Sequence, residues 1–198
     1  MRVLGPGDPL GHRPRRVLVA GLSGSGKSTL AARIGAALDL PYIELDSLHH
    51  GPEWVPRREF LDDVRGLAAG DAWVTEFQYD TARPILQVRA DLLVHLDPPF
   101  PVVLSRLVRR TIRRRIRREE LWNGNTEPPF HTFVTDRDHV VRYMIRTRDK
   151  YRHLIPEAVA ANPALVVVTL RSRGETDAWL ARLPPPDAGA RPGAAADS

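Results

Sequence analysis

The chain has 198 residues, a formal net charge of +5 and a sequence pI of about 10.2, with 42% hydrophobic and 27% charged residues. That length suits one α/β domain with a substantial core rather than two, and the composition is that of a globular protein. The absence of cysteine excludes disulfides, thiol catalysis and cysteine-ligated zinc; the lack of a membrane-length apolar stretch and of a signal-peptide core predicts a cytoplasmic protein without membrane partners.

Residues 1–14 are rich in Gly and Pro and are expected to form a disordered arm, ahead of a single domain over residues 15–183. Residues 17–20 are apolar and predict a buried parallel strand. The run Gly21-Leu22-Ser23-Gly24-Ser25-Gly26-Lys27-Ser28-Thr29 then fills every fixed position of the phosphate-binding P-loop, G-x-x-x-x-G-K-[ST]. Glycines let backbone N–H groups close around phosphate oxygens, a lysine reaches the β- and γ-phosphates, and the following hydroxyl ligates Mg²⁺. Gly21, Ser23, Gly24, Ser25, Gly26, Lys27, Ser28 and Thr29 are therefore the expected cradle of a nucleoside triphosphate. Leu30, Ala31, Ile34, Ala37 and Leu38 have helical spacing, so the phosphates would meet a helix N-terminus.

Beyond the motif, strands are expected at 42–45, 72–77, 92–96 and 165–170, and helices at 57–68, 82–88, 101–118, 136–151 and 175–183. The irregular stretch 119–132 separates the long helix from its successor. Residues 184–198 have almost nothing to bury and are expected to be a disordered tail. Five apolar strands alternating with helices imply a parallel sheet covered on both faces, with ligands at the carboxyl ends of its strands.

Several segments together carry a family likeness. The P-loop, Leu45-Asp46-x-Leu48-His49, Trp73-Val74-Thr75-Glu76-Phe77-Gln78-Tyr79, Leu96-Asp97-x-Pro99 and the Arg-rich helix running into Glu120-Leu121-Trp122-Asn123-Gly124-Asn125 resemble small bacterial P-loop kinases of the adenylate-kinase-like or DNA topology-modulation type. The resemblance implies a three-layer P-loop kinase fold with strand order 2-3-1-4-5, a small lid at about 119–132, and ATP with Mg²⁺ as cofactors. By likeness to shikimate- and gluconate-kinase-like relatives, Asp46 would be the catalytic base or acceptor anchor. Glu76 would hold Mg²⁺ with Ser28, although many family members have W-V-x-D-G-x-Y where this chain has Glu76-Phe77. Arg171-Ser172 resemble the loop that passes the adenine base.

On the long helix, Leu104, Leu107, Val108, Ile112 and Ile116 read as the apolar side, opposite Arg106, Arg110, Arg113 and Arg117. Unpaired like charges at i,i+4 repel and invite an anion. By likeness to adenylate-kinase-like enzymes, Arg110, Arg113 and Arg117 with Arg114 would clamp phosphates, and Arg142, Arg146 and Arg148 are further contributors. His49, His50, Trp54 and Phe60, with Gln78 and Tyr79, fall where such enzymes bind the acceptor. Trp122 is expected to stack on a base or seal the lid.

A kinase acting on a small acceptor, such as a nucleotide or nucleoside, is the leading function. A P-loop NTPase with a nucleic-acid-binding or regulatory role is the alternative, prompted by the basic pI, and ranks lower because no base-reading module is present. A GTP switch is disfavoured because neither lysine of the chain sits in a guanine-specific N/T-K-x-D run.

Overall fold

The computed structural model describes residues 2–117, 122–125 and 140–185. Five strands, β1 (Arg2–Leu4), β2 (Arg16–Gly21), β3 (Trp73–Glu76), β4 (Leu92–Leu96) and β5 (Val166–Leu170), pair in parallel in the order β1-β5-β4-β2-β3. β2 is an interior strand between β4 and β3, and its Val17, Leu18, Val19 and Ala20, apolar on both faces, are all fully buried.

Helices cover both faces of the sheet. On one, α3 (Phe60–Ala69), α4 (Arg83–Gln87) and α7 (Tyr151–Ala161) pack Phe60, Val64, Leu86 and Ala158 with Leu18, Leu93 and Val167. On the other, α1 (Lys27–Leu38) and α8 (Arg173–Leu180) pack Leu30, Ile34 and Trp179 with Val19, Val94 and Val168. Beside the P-loop, α5 (Phe100–Arg117) and α6 (Val140–Arg146) meet through Val103, Leu107 and Met144, with Leu22 against them. A short helix, α2 (Leu45–His49), and single turns at Pro52–Trp54 and Trp122–Gly124 complete the described elements. No helix among the described residues is long and apolar enough to cross a membrane.

Three expectations need correction. The strand expected at 42–45 shrinks to one bridge, Tyr42 to Val74, after which the chain turns into α2. Side chains of β3 cause the departure: Thr75 Oγ1 donates to the Ile43 carbonyl at 2.7 Å, and the Glu76 carboxylate accepts from Leu45 N at 3.1 Å. Ladder hydrogen bonds are thereby replaced, and the strand cannot continue.

The arm expected to lack order supplies the outer strand β1 and buries Leu10. Three residues suffice to cover an otherwise open edge of β5, and Gly and Pro on either side do not prevent it. Expected order 2-3-1-4-5 is therefore retained from the third expected strand onward, with an added strand at the far edge. The third correction is α7, which was not anticipated and accommodates Pro156 in its middle. The expected lid at 119–132, apart from 122–125, and the tail beyond 185 lie outside the described residues.

Deleting residues 1–10 is expected to lower the thermal midpoint by about 5 °C. Burying one leucine side chain is worth about 2 kcal/mol, and each kcal/mol moves the midpoint of a chain this size by about 2–4 °C. An unchanged midpoint by calorimetry would show that the arm adds no stability.

Candidate active site

The P-loop joins β2 to α1. Gly24 and Gly26 adopt φ of 85° and 97°, left-handed conformations that favour glycine. A Cβ on Gly24 would also lie 2.9 Å from Leu107 Cβ and 3.0 Å from the Val103 carbonyl, so the loop is pressed against α5. Ser25 N–H donates to the Leu22 carbonyl at 3.0 Å and closes the turn. No side chain caps the start of α1, and its first turn holds no acidic residue. The Ser25 hydroxyl is buried and meets no hydrogen-bond partner among the described residues. An uncapped helix start beside an unsatisfied buried hydroxyl suits a phosphate.

Around Lys27 the structure gathers charge. Burial lowers its pKa, Asp46, Glu76 and Glu44 pull it back up, and Arg110 pushes it further down. Glu76, 1% exposed at the end of β3, accepts from Tyr42 Oη at 2.7 Å and from Leu45 N at 3.1 Å. Tyr42 is raised above the ordinary tyrosine range by burial and by its hydrogen bond to Glu76, while the nearby Ser28 hydroxyl opposes the rise. Ser28 and Glu76, the two residues expected at Mg²⁺, are thus linked through Tyr42. Among the described residues no group of three His, Asp or Glu forms a self-sufficient metal cage. Ser28 with a single carboxylate fits Mg²⁺ held largely by phosphates and water.

Asp46 lies in the first turn of α2, where Gln78 Nε2 at 2.7 Å and Tyr79 Oη at 2.5 Å both donate to its Oδ1. Tyr79, held at φ 61°, donates its one proton there, so its oxygen is left to accept from His50 Nε2 at 3.1 Å. With that proton on Nε2, His50 Nδ1 accepts from His49 Nδ1 at 3.4 Å. The result is a directional chain from His49 through His50 and Tyr79 to Asp46. His49 stacks on Tyr79 with ring centres 4.1 Å apart, while Phe60 and Trp54 meet the two histidines edge-on. Burial lowers the pKa of both histidines, and the nearby Asp46 carboxylate opposes this.

The turn after α5 grips this cluster. Asn125 accepts from Trp54 N at 3.0 Å and donates to the Gly51 carbonyl at 2.9 Å, and Asn123 donates to the His50 carbonyl. The buried arc of α5 is Val103, Leu107 and Thr111, which corrects the expected apolar side. Ile112 and Ile116 are 40% and 70% exposed, because residues four apart advance by only about 40° and the seam runs one position earlier. That phase turns Arg110 and Arg114 partly inward, and only Arg110 is shown coupled to Lys27; Arg113 and Arg117 face solvent.

Arg171 is in an ion pair with Asp97 at 3.8 Å and borders a cavity of about 610 Å³ beside Ser25, Gly26 and Thr29, across from Arg106. Arg106 was not expected as a site residue. Neither were Tyr42 and Lys150. Lys150 lies over the rings of Tyr143 and Tyr151 at 5.4 and 5.1 Å and is lowered to about 8, first by burial and then by Lys27 and Arg83. The scarcity of lysine in an arginine-rich chain was the available signal for it.

A scan against protein-family models and a search of curated proteins find no match. Solved structures do match. A shikimate kinase from Bacteroides thetaiotaomicron aligns with a TM-score of 0.50 and 17% identity over 86% of this chain and 96% of that one. A gluconokinase from Sinorhizobium meliloti 1021 gives 0.45 and 23% over 87% and 95%. A sugar kinase from Janibacter sp. HTCC2649 gives 0.44 and 21% over 85% and 91%. The fold is that of a P-loop kinase. The identities establish architecture and leave chemistry to the residues of this chain.

Lys150 generates a pH prediction. Its folded pKa lies near 8, below the ordinary 10.5, so the folded state binds fewer protons than the unfolded state between those values. Its contribution to stability therefore rises as pH increases from 8 to 10.5. Urea midpoints of wild type minus those of Lys150→Met should climb across that window; a flat difference would remove Lys150 from its desolvated place beside Lys27.

Proposed function

We propose that this protein is an ATP- and Mg²⁺-dependent kinase that transfers the γ-phosphate to a hydroxyl of a small acceptor. The observation that carries the reading is the convergence of Lys27, Asp46, Glu76 and Arg110 in one electrostatically coupled group at the P-loop. Phosphoryl transfer needs positioned cations for the phosphates and a carboxylate for the attacking oxygen. Backbone N–H groups of the P-loop with Ser23, Ser25 and Thr29 hold the triphosphate, and Lys27 and Arg110 neutralise it. When bound, Mg²⁺ supplies charge across the phosphates, held by Ser28 and, through water, Glu76. Arg106 and Arg171 flank the cavity suited to the base.

Asp46 takes the acceptor side. Gln78 and Tyr79 hold one of its oxygens, so Oδ2 remains to receive a hydroxyl proton. The acceptor side also has little spare positive charge: Arg57 is engaged by Asp63 at 3.0 Å and Arg83 by Asp80 at 2.7 Å. Uncharged hydroxyl compounds, nucleosides or sugars, suit such a wall better than nucleoside monophosphates. Within the P-loop kinases, the motif set supports placement with the adenylate-kinase-like or topology-modulation type, residues 119–132 acting as the lid and Arg113, Arg114 and Arg117 joining the phosphates on closure. A cytoplasmic location accords with this chemistry.

The outward-facing Arg113 and Arg117 favour one second reading, a nucleic-acid-binding NTPase. An ATP-consumption screen over nucleosides, sugars, hydroxy acids and nucleoside monophosphates separates the two. Phosphate should appear on a hydroxyl compound. Phosphate release alike with every compound, together with DNA binding whose salt slope falls in Arg113→Ala/Arg117→Ala, would favour the second reading.

Asp46→Asn is expected to slow transfer by about 10²–10⁴-fold with ATP affinity nearly retained. Lys27→Ala should instead lose ATP affinity or turnover while remaining folded. Full rate in Asp46→Asn by coupled assay would eliminate the proposed base.

A further inference from the structure

A second cavity, of about 620 Å³, opens on the other face of the sheet, between the ends of β4 and β5 and the start of α7. Its floor is a ladder of paired side chains that changes character outward. Leu93 and Val167 pair in the core, His95 pairs with Thr169 one step further, and beyond the strand ends Asp97 meets Arg171 at 3.8 Å. Residues two apart on a strand share a face, so all three pairs lie on the same side. His95 and Thr169 occupy the level where the apolar core stops.

Neither side chain is committed. Among the described residues no hydrogen bond reaches the His95 ring or the Thr169 hydroxyl, and neither polar group is sealed from the cavity as an orphan would be. The His95 ring rests 5.2 Å from that of Tyr151, and burial lowers its pKa, with Asp97 opposing the fall and Arg171 adding to it. Arg148 and Arg152 stand at the mouth sharing Asp149, at 3.1 and 3.4 Å. With Arg171 and Asp97, three guanidiniums face two carboxylates, an excess of one positive charge. Pro156, also in the wall, lacks the N–H that would meet the Arg152 carbonyl in an unbroken helix.

We propose that this cavity is a second ligand site, meeting the cavity beside the P-loop only at the edge formed by Leu96, Pro98 and Arg171, for a small hydroxylated organic anion whose hydroxyls meet His95 and Thr169 and whose charge meets the arginine rim. The volume lies within the range of small-molecule sites, and the lining mixes polar with apolar side chains. The site adjoins the P-loop, since Tyr151 Oη donates to the Gly21 carbonyl at 2.9 Å and Leu22 forms part of the same wall.

The test is an NMR titration of the full chain, held saturated with a non-hydrolysable ATP analogue, with ribose 5-phosphate and, separately, with malate. These probes share hydroxyls and differ in anionic group, so they tell phosphate from carboxylate preference. At least one is expected to shift the His95 ring and Thr169 methyl resonances saturably. Thr169→Val, which keeps the β-branched shape, should weaken that binding about 5-fold, and His95→Gln should do likewise. No saturable shift with either probe, or equal affinity in folded Thr169→Val and His95→Gln, would overturn the proposal.

Discussion

One buried carboxylate organises the site. Glu76 ends β3 inside the protein, where an ionised group is tolerated only when hydrogen-bonded and paired. It takes one hydrogen bond from Tyr42, one from Leu45 N, and faces Lys27. Each contact has a structural consequence. Capture of the Leu45 N–H ends strand pairing and starts α2, which carries Asp46. The bond from Tyr42 ties the same segment to Ser28 at the start of α1. Without a carboxylate of this length at position 76, Asp46 and the P-loop would have no common anchor.

The loop itself is set by backbone conformation on one side and by α5 on the other. Gly24 needs both its left-handed φ and its missing Cβ, because Leu107 and the Val103 carbonyl stand where a side chain would be. That close approach fixes the phase of α5 and delivers Arg110 to Lys27. The cations so assembled repel one another, and Lys150 is depressed partly by Lys27. Such a cluster becomes favourable when a polyanion enters, which is the electrostatic sense of a site preorganised for phosphates.

Much of this was legible in the sequence, for stated reasons. The P-loop, the central strands and the two covered faces follow from a motif and from unbroken apolar runs. Glu76 was readable as a strand-end carboxylate, whereas Asp46, expected at the end of a strand, lies in the first turn of α2. What stayed hidden depended on tertiary contact: a side-chain carboxylate replaced a ladder hydrogen bond at Leu45, so 42–45 read as strand. Helical spacing alone did not give the phase of α5, because Ile112 and Ile116 look as apolar as Leu104. Lys150 carries no local pattern; only the packed structure shows it beside Lys27.

The arginines divide along a line that runs through the site. On the side of Asp46, Arg57 and Arg83 are matched by carboxylates, and the wall is completed by aromatic rings and the His49–His50–Tyr79–Asp46 chain. On the other side Arg106 and Arg110 stand near the P-loop with Lys27. Of these two walls, the one beside the P-loop favours negative charge, and the opposite one presents the Asp46 carboxylate. Asn123 and Asn125 hold that wall from the far end of α5. Through this contact the position of the helix bearing Arg110 and the shape of the wall around Asp46 are set together, so a change at either end of α5 is felt at both the P-loop and Asp46.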